Sequence, residues 1–342
     1  MLKFFVTGGA GFIGSAFIRL ALAELPGCHI TNFDALTYAG NPDNLTNLDE
    51  SRYRLVHGDI ADREAVLRAL EEDTDALINF AAETHVDRSI MDASPFLHTN
   101  ITGTQVLLDA TRARKVRRFV QISTDEVMGS LAEDDETAFF SEESTLAPTN
   151  PYSATKAAAE HLVNAAHHTF KLDTIITRCG NNYGPRQFPE KLIPLLISNA
   201  LRDEPIPVYG DGQNVRDWIY VEDHARALLL ATLKGKAGSL YNIGARNERR
   251  NLDVVKSILT MLGKPHSLIR FVKDRPGHDR RYAIDPSKAE RELGWLPLET
   301  WESGITKTIK WYEENADWIR RAQTGAYREY YARHYGTEAG AL

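Results

Sequence analysis

Two short stretches of this chain carry residue types and spacings that can do chemistry. Ser123-Thr124-Asp125-Glu126 sets two hydroxyls before two adjacent carboxylates, and Pro151-Tyr152-Ser153-Ala154-Thr155-Lys156 sets a phenol four residues before a lysine. Residues four apart on a helix share a face, so Tyr152 and Lys156 point the same way. An ammonium beside a phenol favours the phenolate, which makes Tyr152 a candidate base. Bringing a tyrosine from its usual ~10 toward neutrality takes on the order of 4 kcal/mol. Thr124 can hold a substrate hydroxyl near that base. Asp125 and Glu126 read either as a proton-transfer pair or as the cap of a following helix. Tyr-x-x-x-Lys alone recurs by chance, and its meaning rests on its surroundings.

Those surroundings begin at Phe4–Gly14, which reads Phe-Phe-Val-Thr-Gly-Gly-Ala-Gly-Phe-Ile-Gly. The apolar run predicts a strand buried on both faces. Gly8, Gly11 and Gly14 then allow a tight turn, close backbone approach to a diphosphate, and close packing of a helix over Ile13–Leu25. That helix aims free N–H groups at the phosphates. A second strand, His29–Phe33, ends at Asp34, 20 residues after Gly14. A carboxylate there binds both ribose hydroxyls of NAD and repels the extra phosphate of NADP. The reading is an NAD-binding α/β domain, a doubly wound parallel sheet of the Rossmann type.

Further strands are predicted at Arg54–His57, Asp75–Phe80, Arg118–Ile122 and Asp173–Arg178, with helices over Asn100–Ala113 and from Pro151 onward. Asp59, after the third strand, either reaches the adenine or caps the helix that starts near Asp62. Small and polar residues from Ala81 to Ser89 crowd a strand's carboxyl end, as at a site. Phe188–Leu192 is expected to start a helix and Trp301–Trp318 to form one. Tyr209 offers a stacking face, and Lys191, Arg216 and Arg275 offer charges for phosphate. Equally, Tyr209 fits a core aromatic, and Arg216 fits an ion pair with Asp217. The segments over about 1–178, with 216–245 returning to them, read as the NAD-binding domain. Residues 179–342 read mainly as a smaller mixed α/β substrate-binding domain, interleaved with the first.

Bulk properties narrow the class. At 342 residues with 43% hydrophobic and 25% charged content, the chain can bury a large core. A net charge of −7 argues against nucleic acid as a partner. Cys28 and Cys179 are too few for a disulfide framework or a zinc site, so no metal is expected, and they fit a reducing compartment. No charged leader precedes an apolar segment, and no 18-residue apolar run occurs. A soluble cytoplasmic protein with no membrane partner is the expectation.

The glycine turn together with Tyr152 and Lys156 resembles the extended short-chain dehydrogenase/reductase superfamily, and within it the dTDP-glucose 4,6-dehydratase family. The likeness runs through Leu36–Asn41, Ala81–Ile90, Ser123–Val127, Asn181–Pro185, Phe188–Pro194, Val208–Gln213, Arg216–Ala227, Asp274–Asp285 and Glu292–Leu298, and persists at Gly325-Ala326-Tyr327. It implies NAD bound by Gly8, Gly11, Phe12, Ile13, Gly14, Asp34, Ala35, Leu36, Thr37, Asp59, Ile60, Phe80, Ala81, Ala82, Thr99, Tyr152, Lys156 and Asn182. It implies a nucleotide sugar, dTDP-glucose, held by Thr84, Thr124, Asn181, Lys191, Leu192, Pro207, Val208, Tyr209, Arg216, Asn251, Asp274, Arg275 and His278. Tyr209 would hold the thymine ring and Arg216 the diphosphate.

The same resemblance implies a lyase that borrows an oxidant. Oxidising C4 of the hexose acidifies the C5 proton, water leaves across C5 and C6, and the hydrogen removed from C4 returns to C6. Tyr152 would act at O4, Glu126 as the C5 base, and Asp125 as the acid at the leaving hydroxyl. By analogy the protein is a homodimer joined through helices like Asn100–Ala113 and Tyr152–His168. Alternatives on the same fold are a UDP-sugar dehydratase, a nucleotide-sugar 4-epimerase or decarboxylase, or an inactive binding relative. Three positions depart from the family: Thr84 for serine, Gly180 for serine, and Met128 for tyrosine. Met128 is expected to remove an aromatic wall near the sugar.

Overall fold

The computed structural model describes residues 2–323, apart from 134 and 136. The Gly325-Ala326-Tyr327 likeness therefore lies outside the described residues. The chain opens with β1 (Leu2–Thr7), α1 (Phe12–Glu24), β2 (Cys28–Asp34), β3 (Tyr53–His57), α2 (Arg63–Ala69) and β4 (Ala76–Asn79). Next come α3 (Val86–Met91), α4 (Ser94–Phe96), α5 (Thr104–Ala113), β5 (Arg118–Thr124), α6 (Pro151–Phe170) and β6 (Thr174–Cys179). The single turn of α4 runs through a wide π-turn at Leu97–Gly103 into α5, so the helix expected from Asn100 already begins at Ser94.

Seven parallel strands form one sheet in the order β10-β6-β5-β4-β1-β2-β3, with β10 at Ser239–Ile243. Phe4 and Val6 face one apolar cluster and Phe5 the other, so β1 is buried on both faces as its composition predicts. Strand order reverses between β1 and β4, and a doubly wound sheet opens a crevice at that point. The Rossmann-type expectation is met.

The second part begins where β6 hands over to β7 (Asn181–Tyr183), followed by α7 (Leu192–Leu201), β8 (Ile206–Tyr209) and β9 (Val215–Tyr220). Then come α8 (Val221–Lys234), β11 (Glu248–Arg250), α9 (Asn251–Met261), β12 (Ile269–Val272), α10 (Ser287–Leu293), α11 (Trp301–Glu314) and α12 (Ala316–Ala322). Strands β11-β9-β7 make a three-stranded mixed sheet, and β12 pairs with β8. A separate core holds Tyr183, Trp218, Trp301, Tyr312 and Trp318.

Three expectations shift here. The return to the large sheet starts at Val221, because β9 belongs to the small sheet, although its Ile219 reaches the first core along with α8, β10 and α10. Phe188–Lys191 is a turn rather than a helix start, and α7 begins at Leu192. The Trp301–Trp318 helix breaks at Asn315, which lets Trp318 turn back and donate its indole N–H to Asn44.

Candidate active site

The crevice holds a cavity of about 350 Å3 lined from four directions. The glycine turn contributes Gly8, Gly11, Phe12, Ile13 and Gly14, and the end of β2 contributes Asp34, Ala35 and Thr37. Asp59, Ile60, Phe80, Ala81, Ala82, Thr84 and Thr99 form the opposite wall, and Thr124, Asp125, Glu126, Tyr152 and Lys156 its inner end. Asn181, Asn182 and Lys191 close it from the second part. Residues expected from three separate stretches thus meet in one space.

The turn is shaped for a dinucleotide. A Cβ on Gly14 would stand 2.5 Å from the Gly8 carbonyl oxygen, and one on Gly8, which has φ +67°, would stand 2.6 Å from Ala81 N. These two glycines let α1 pack onto the strands. On Gly11 a Cβ would meet nothing but the Gly8 carbonyl at 3.2 Å. Gly11 is the N-cap of α1, with no side-chain cap and no acid in the first turn, so the helix N–H groups and their positive end face the cavity uncompensated. That is the environment a diphosphate needs.

Asp34 does two jobs. Its carboxylate accepts from Ala10 N and Leu36 N, each at 2.8 Å, and so ties β2 to the glycine turn. Two engaged lone pairs leave others for ribose hydroxyls. Burial pushes its pKa up against those two backbone donors. Leu36, with φ +50°, does not line the cavity and serves the loop conformation instead. Asp59 is not the helix cap. Asp62 caps α2 by accepting from Ala65 N, while Asp59 accepts from Ala61 N, pairs with His98 at 2.9 Å and lines the cavity.

The inner end is a buried charged cluster. Thr124 ends β5 and caps a one-turn 3-10 helix over Asp125–Met128, so the threonine and not the acids does the capping. Asp125 is 2% exposed, its Oδ1 lies 3.3 Å from the Thr124 hydroxyl, and its Oδ2 has no hydrogen-bond partner among the described residues. Burial, with Glu126 next to it, holds its proton well above the usual carboxylate range. Glu126 is pushed up less. Burial raises it, while Arg275, Arg216 and Lys191 pull it down.

Tyr152 and Lys156 lie on one face of α6, as their spacing requires. The Lys156 ammonium donates to the Ile122 carbonyl at 2.6 Å, and burial depresses its pKa to about 8. Tyr152, however, is pushed well above its usual value by burial and by the negative charge of Glu126, with a hydrogen bond to Thr124 acting the other way. The expected lowering by Lys156 is therefore absent from the protein by itself. The reason is physical: the lysine is spent on a carbonyl, and the nearest carboxylate opposes a phenolate.

Ten expected residues do not line this cavity: Leu36, Leu192, Pro207, Val208, Tyr209, Arg216, Asn251, Asp274, Arg275 and His278. Most of those on the second part lie close to one another. Tyr209 donates to Asp87 at 3.2 Å, Arg275 sits 3.7 Å from Asp87 and 5.8 Å from the Tyr209 ring, and His278 pairs with Asp274 at 2.6 Å. Arg216 is buried over the Tyr282 ring and donates to the Val215 and Asp279 carbonyls. It makes no ion pair with Asp217, because neighbours on β9 point to opposite faces. Asp217 instead accepts from Ala245 N and Asn247 N.

Met128 is also reassigned. It is 3% exposed beneath the site among Val127, Phe140 and Tyr282, and its sulfur accepts from Arg178 at 3.3 Å, so it is not a cavity wall. A Cβ on Gly180 would stand 2.6 Å from the Asp217 carbonyl oxygen, which leaves no room for serine in this backbone. Sequence reasoning missed Glu83, Cys179, Gln187, Phe188 and Glu190, all lining the cavity. Cys179 followed a predicted strand and was findable; the others sit in turns whose direction only the fold sets.

Comparison with known proteins agrees with this architecture. The family profile of GDP-mannose 4,6 dehydratase matches residues 5–308. The dTDP-glucose 4,6-dehydratase of Salmonella typhimurium is 48% identical, covering 98% of this chain and 99% of its own. That of Xanthomonas campestris pv. campestris strain B100 is 49% identical over 96% and 98%. Among solved structures, DesIV of Streptomyces venezuelae, a dTDP-glucose 4,6-dehydratase with NAD bound, superposes with a TM-score of 0.91 at 46% identity, covering 94% of this chain and 100% of that one. On the cleft, the carboxylate pair and this full-length likeness together, the chain belongs to the dTDP-glucose 4,6-dehydratase family.

Proposed function

We propose that this protein converts dTDP-glucose to dTDP-4-keto-6-deoxyglucose and water. One observation carries the reading: buried Asp125 and its half-buried neighbour Glu126 share a cavity with Tyr152, Lys156 and the glycine turn. A 4-epimerase needs a base and a cofactor there, but not two carboxylates with separate protonation. Gly8–Gly14, Asp34 and Lys156 would hold NAD, which would supply reversible hydride acceptance and, when oxidised, a positive charge in the cleft.

The chain's own residues divide the proton work. Thr124 orients the 4-hydroxyl, and Tyr152, once ionised to the phenolate, takes its proton. The Glu126 charge opposes that ionisation, and the hydrogen bond to Thr124 favours it. Glu126, eased toward its ionised form by Arg275, Arg216 and Lys191, then removes the C5 proton and gives one back to C5 after water has left. Asp125, which keeps its proton, delivers it to the departing 6-hydroxyl. Like charges this close resist double ionisation, which assigns one acid and one base.

Tyr209, Arg275, Arg216, Asn251, Asp274 and His278 form the nucleotide half of the substrate site, and residues 1–178 with α8 and β10 the cofactor half. Exposed Ile90, Met91, Leu97 and Phe170, on or beside α3 to α6, support a homodimer formed through those helices. Two buried free cysteines support a reducing, cytoplasmic setting. Incubation with dTDP-glucose and, in parallel, UDP-glucose tests the reading. A 4-keto-6-deoxy product from dTDP-glucose is expected; an epimerised sugar with no ketone overturns it.

A further inference from the structure

A second set of side chains spans the cleft away from the reacting carbons. Tyr38 lies in the loop after β2, between the cavity-lining residues Thr37 and Ala39, while Phe188 and Glu190 lie in the turn before α7 and line the other bank. The Tyr38 hydroxyl donates to Glu190 Oε1 at 3.1 Å, and its ring meets the Phe188 ring edge-on at 5.5 Å. Arg88, from α3, lays its guanidinium 3.8 Å over the Tyr38 ring and reaches Glu190 Oε2 at 3.4 Å. The Glu190 side chain is only 2% exposed, with His85 Nε2 a further 3.8 Å away. Next to it, Lys191 donates to the Thr84 carbonyl at 3.1 Å, a second tie across the same gap.

We propose that Tyr38, Arg88 and Glu190 form a clasp across the cofactor cleft that retains NAD from one turnover to the next. This rests on the reading above, in which the hydrogen taken from C4 goes back to the same sugar. Such a cycle gains nothing from cofactor exchange, and losing the reduced cofactor midway would strand the ketone. The clasp joins the loop that follows Asp34 at the end of β2 to a turn of the substrate part, so release requires the two parts to separate there. A carboxylate bonded at once by a phenol and a guanidinium suits the task. Each contact is charge-assisted, and the burial of Glu190 keeps water from replacing either donor cheaply. Arg88 also stacks on the ring that Glu190 holds, so the three members support one another.

The test uses the purified full-length protein loaded with labelled NAD and chased with unlabelled NAD, without sugar. Tyr38→Phe removes only the hydroxyl, and Glu190→Gln keeps the shape of the side chain while losing its charge. Each is expected to release NAD about tenfold to a hundredfold faster, the range for one hydrogen bond to a charged group. The double variant should release little faster than the worse single one, since both break the same bond. With sugar present, the defect should appear in the apparent KM for NAD rather than in kcat, a split that general loosening of the fold would not give. Release at the wild-type rate from both single variants overturns the clasp. Because the chase contains no sugar, it stands or falls apart from the identity of the product.

Discussion

Asp125 and Glu126 are neighbours in sequence but sit in different fields. Asp125 faces Glu126 and Asp217, offset by one arginine, Arg216, whereas Glu126 faces three cations, Arg275, Arg216 and Lys191, against Asp279. One group therefore keeps its proton and the other can lose it, which is the division that elimination of water requires. Tyr152 acts earlier and at a different atom. Asp125→Asn and Glu126→Gln should accordingly still form the C4 ketone in a single turnover, yet lose deoxy product by on the order of a hundredfold or more. Tyr152→Phe should form neither. Mass analysis of the quenched sugar separates the cases. Wild-type yields of deoxy sugar from both carboxylate variants would remove the pair from the mechanism.

At the scale of elements, the cofactor half was legible and the substrate half only partly so. The glycine spacing, the strand ending at Asp34 and the helical turn from Tyr152 to Lys156 are local signals, and local geometry fixes where those residues point. Arg216 shows the opposite case. Its type suggests a phosphate ligand or a partner for Asp217, but strand alternation and the Asp279 carbonyl decide its direction. Tyr152 erred for a related reason, since its pKa depends on a carboxylate and a burial that spacing does not reveal. The turn at Phe188–Lys191 was misread as a helix because the apolar pattern of α7 begins beside it. The glycine turn itself yields a contrast that can be measured. Gly14→Ala forces a methyl to 2.5 Å from the Gly8 carbonyl oxygen, so α1 must move off the strand, at about 1–3 kcal/mol of stability and with loss of NAD. Gly11→Ala meets only one atom, at 3.2 Å, and its φ of −73° suits alanine. Stability should stay within about 1 kcal/mol of wild type, while NAD binding weakens because the methyl stands where the diphosphate approaches. Equal melting temperatures for the two variants would refute the packing role given to Gly14.

At the scale of the whole molecule, one buried histidine ties the two parts together and makes stability depend on acid. His224 lies on α8, which packs in the first core, and its Nδ1 is 2.8 Å from Oδ1 of Asn182, a cavity residue at the start of the second part. The ring is fully buried, and among the described residues Nε2 has no hydrogen-bond partner, so the folded protein holds a neutral imidazole with Nδ1 as donor. Burial depresses its pKa from 6.5 to about 3. In the unfolded chain the same ring takes a proton once the pH falls below about 6.5. Between these values the unfolded state binds more protons, so stability falls as pH is lowered, by about 1.4 kcal/mol per pH unit for this group. Asp217 works in the other direction, because burial raises its folded pKa to about 6 and the folded state then takes up the proton first. Total stability between pH 4 and 6 thus mixes opposing slopes, and the histidine is seen cleanly only by difference. His224→Gln, which can still donate to Asn182, should be less stable than wild type at pH 7. Its deficit should then shrink steadily as the pH drops from about 6.5 toward 3, since glutamine has no proton to take up in either state. Denaturant midpoints of both proteins across that range measure it. A deficit that stays constant with pH would mean that His224 is protonated to the same extent folded and unfolded, and would place the acid sensitivity elsewhere.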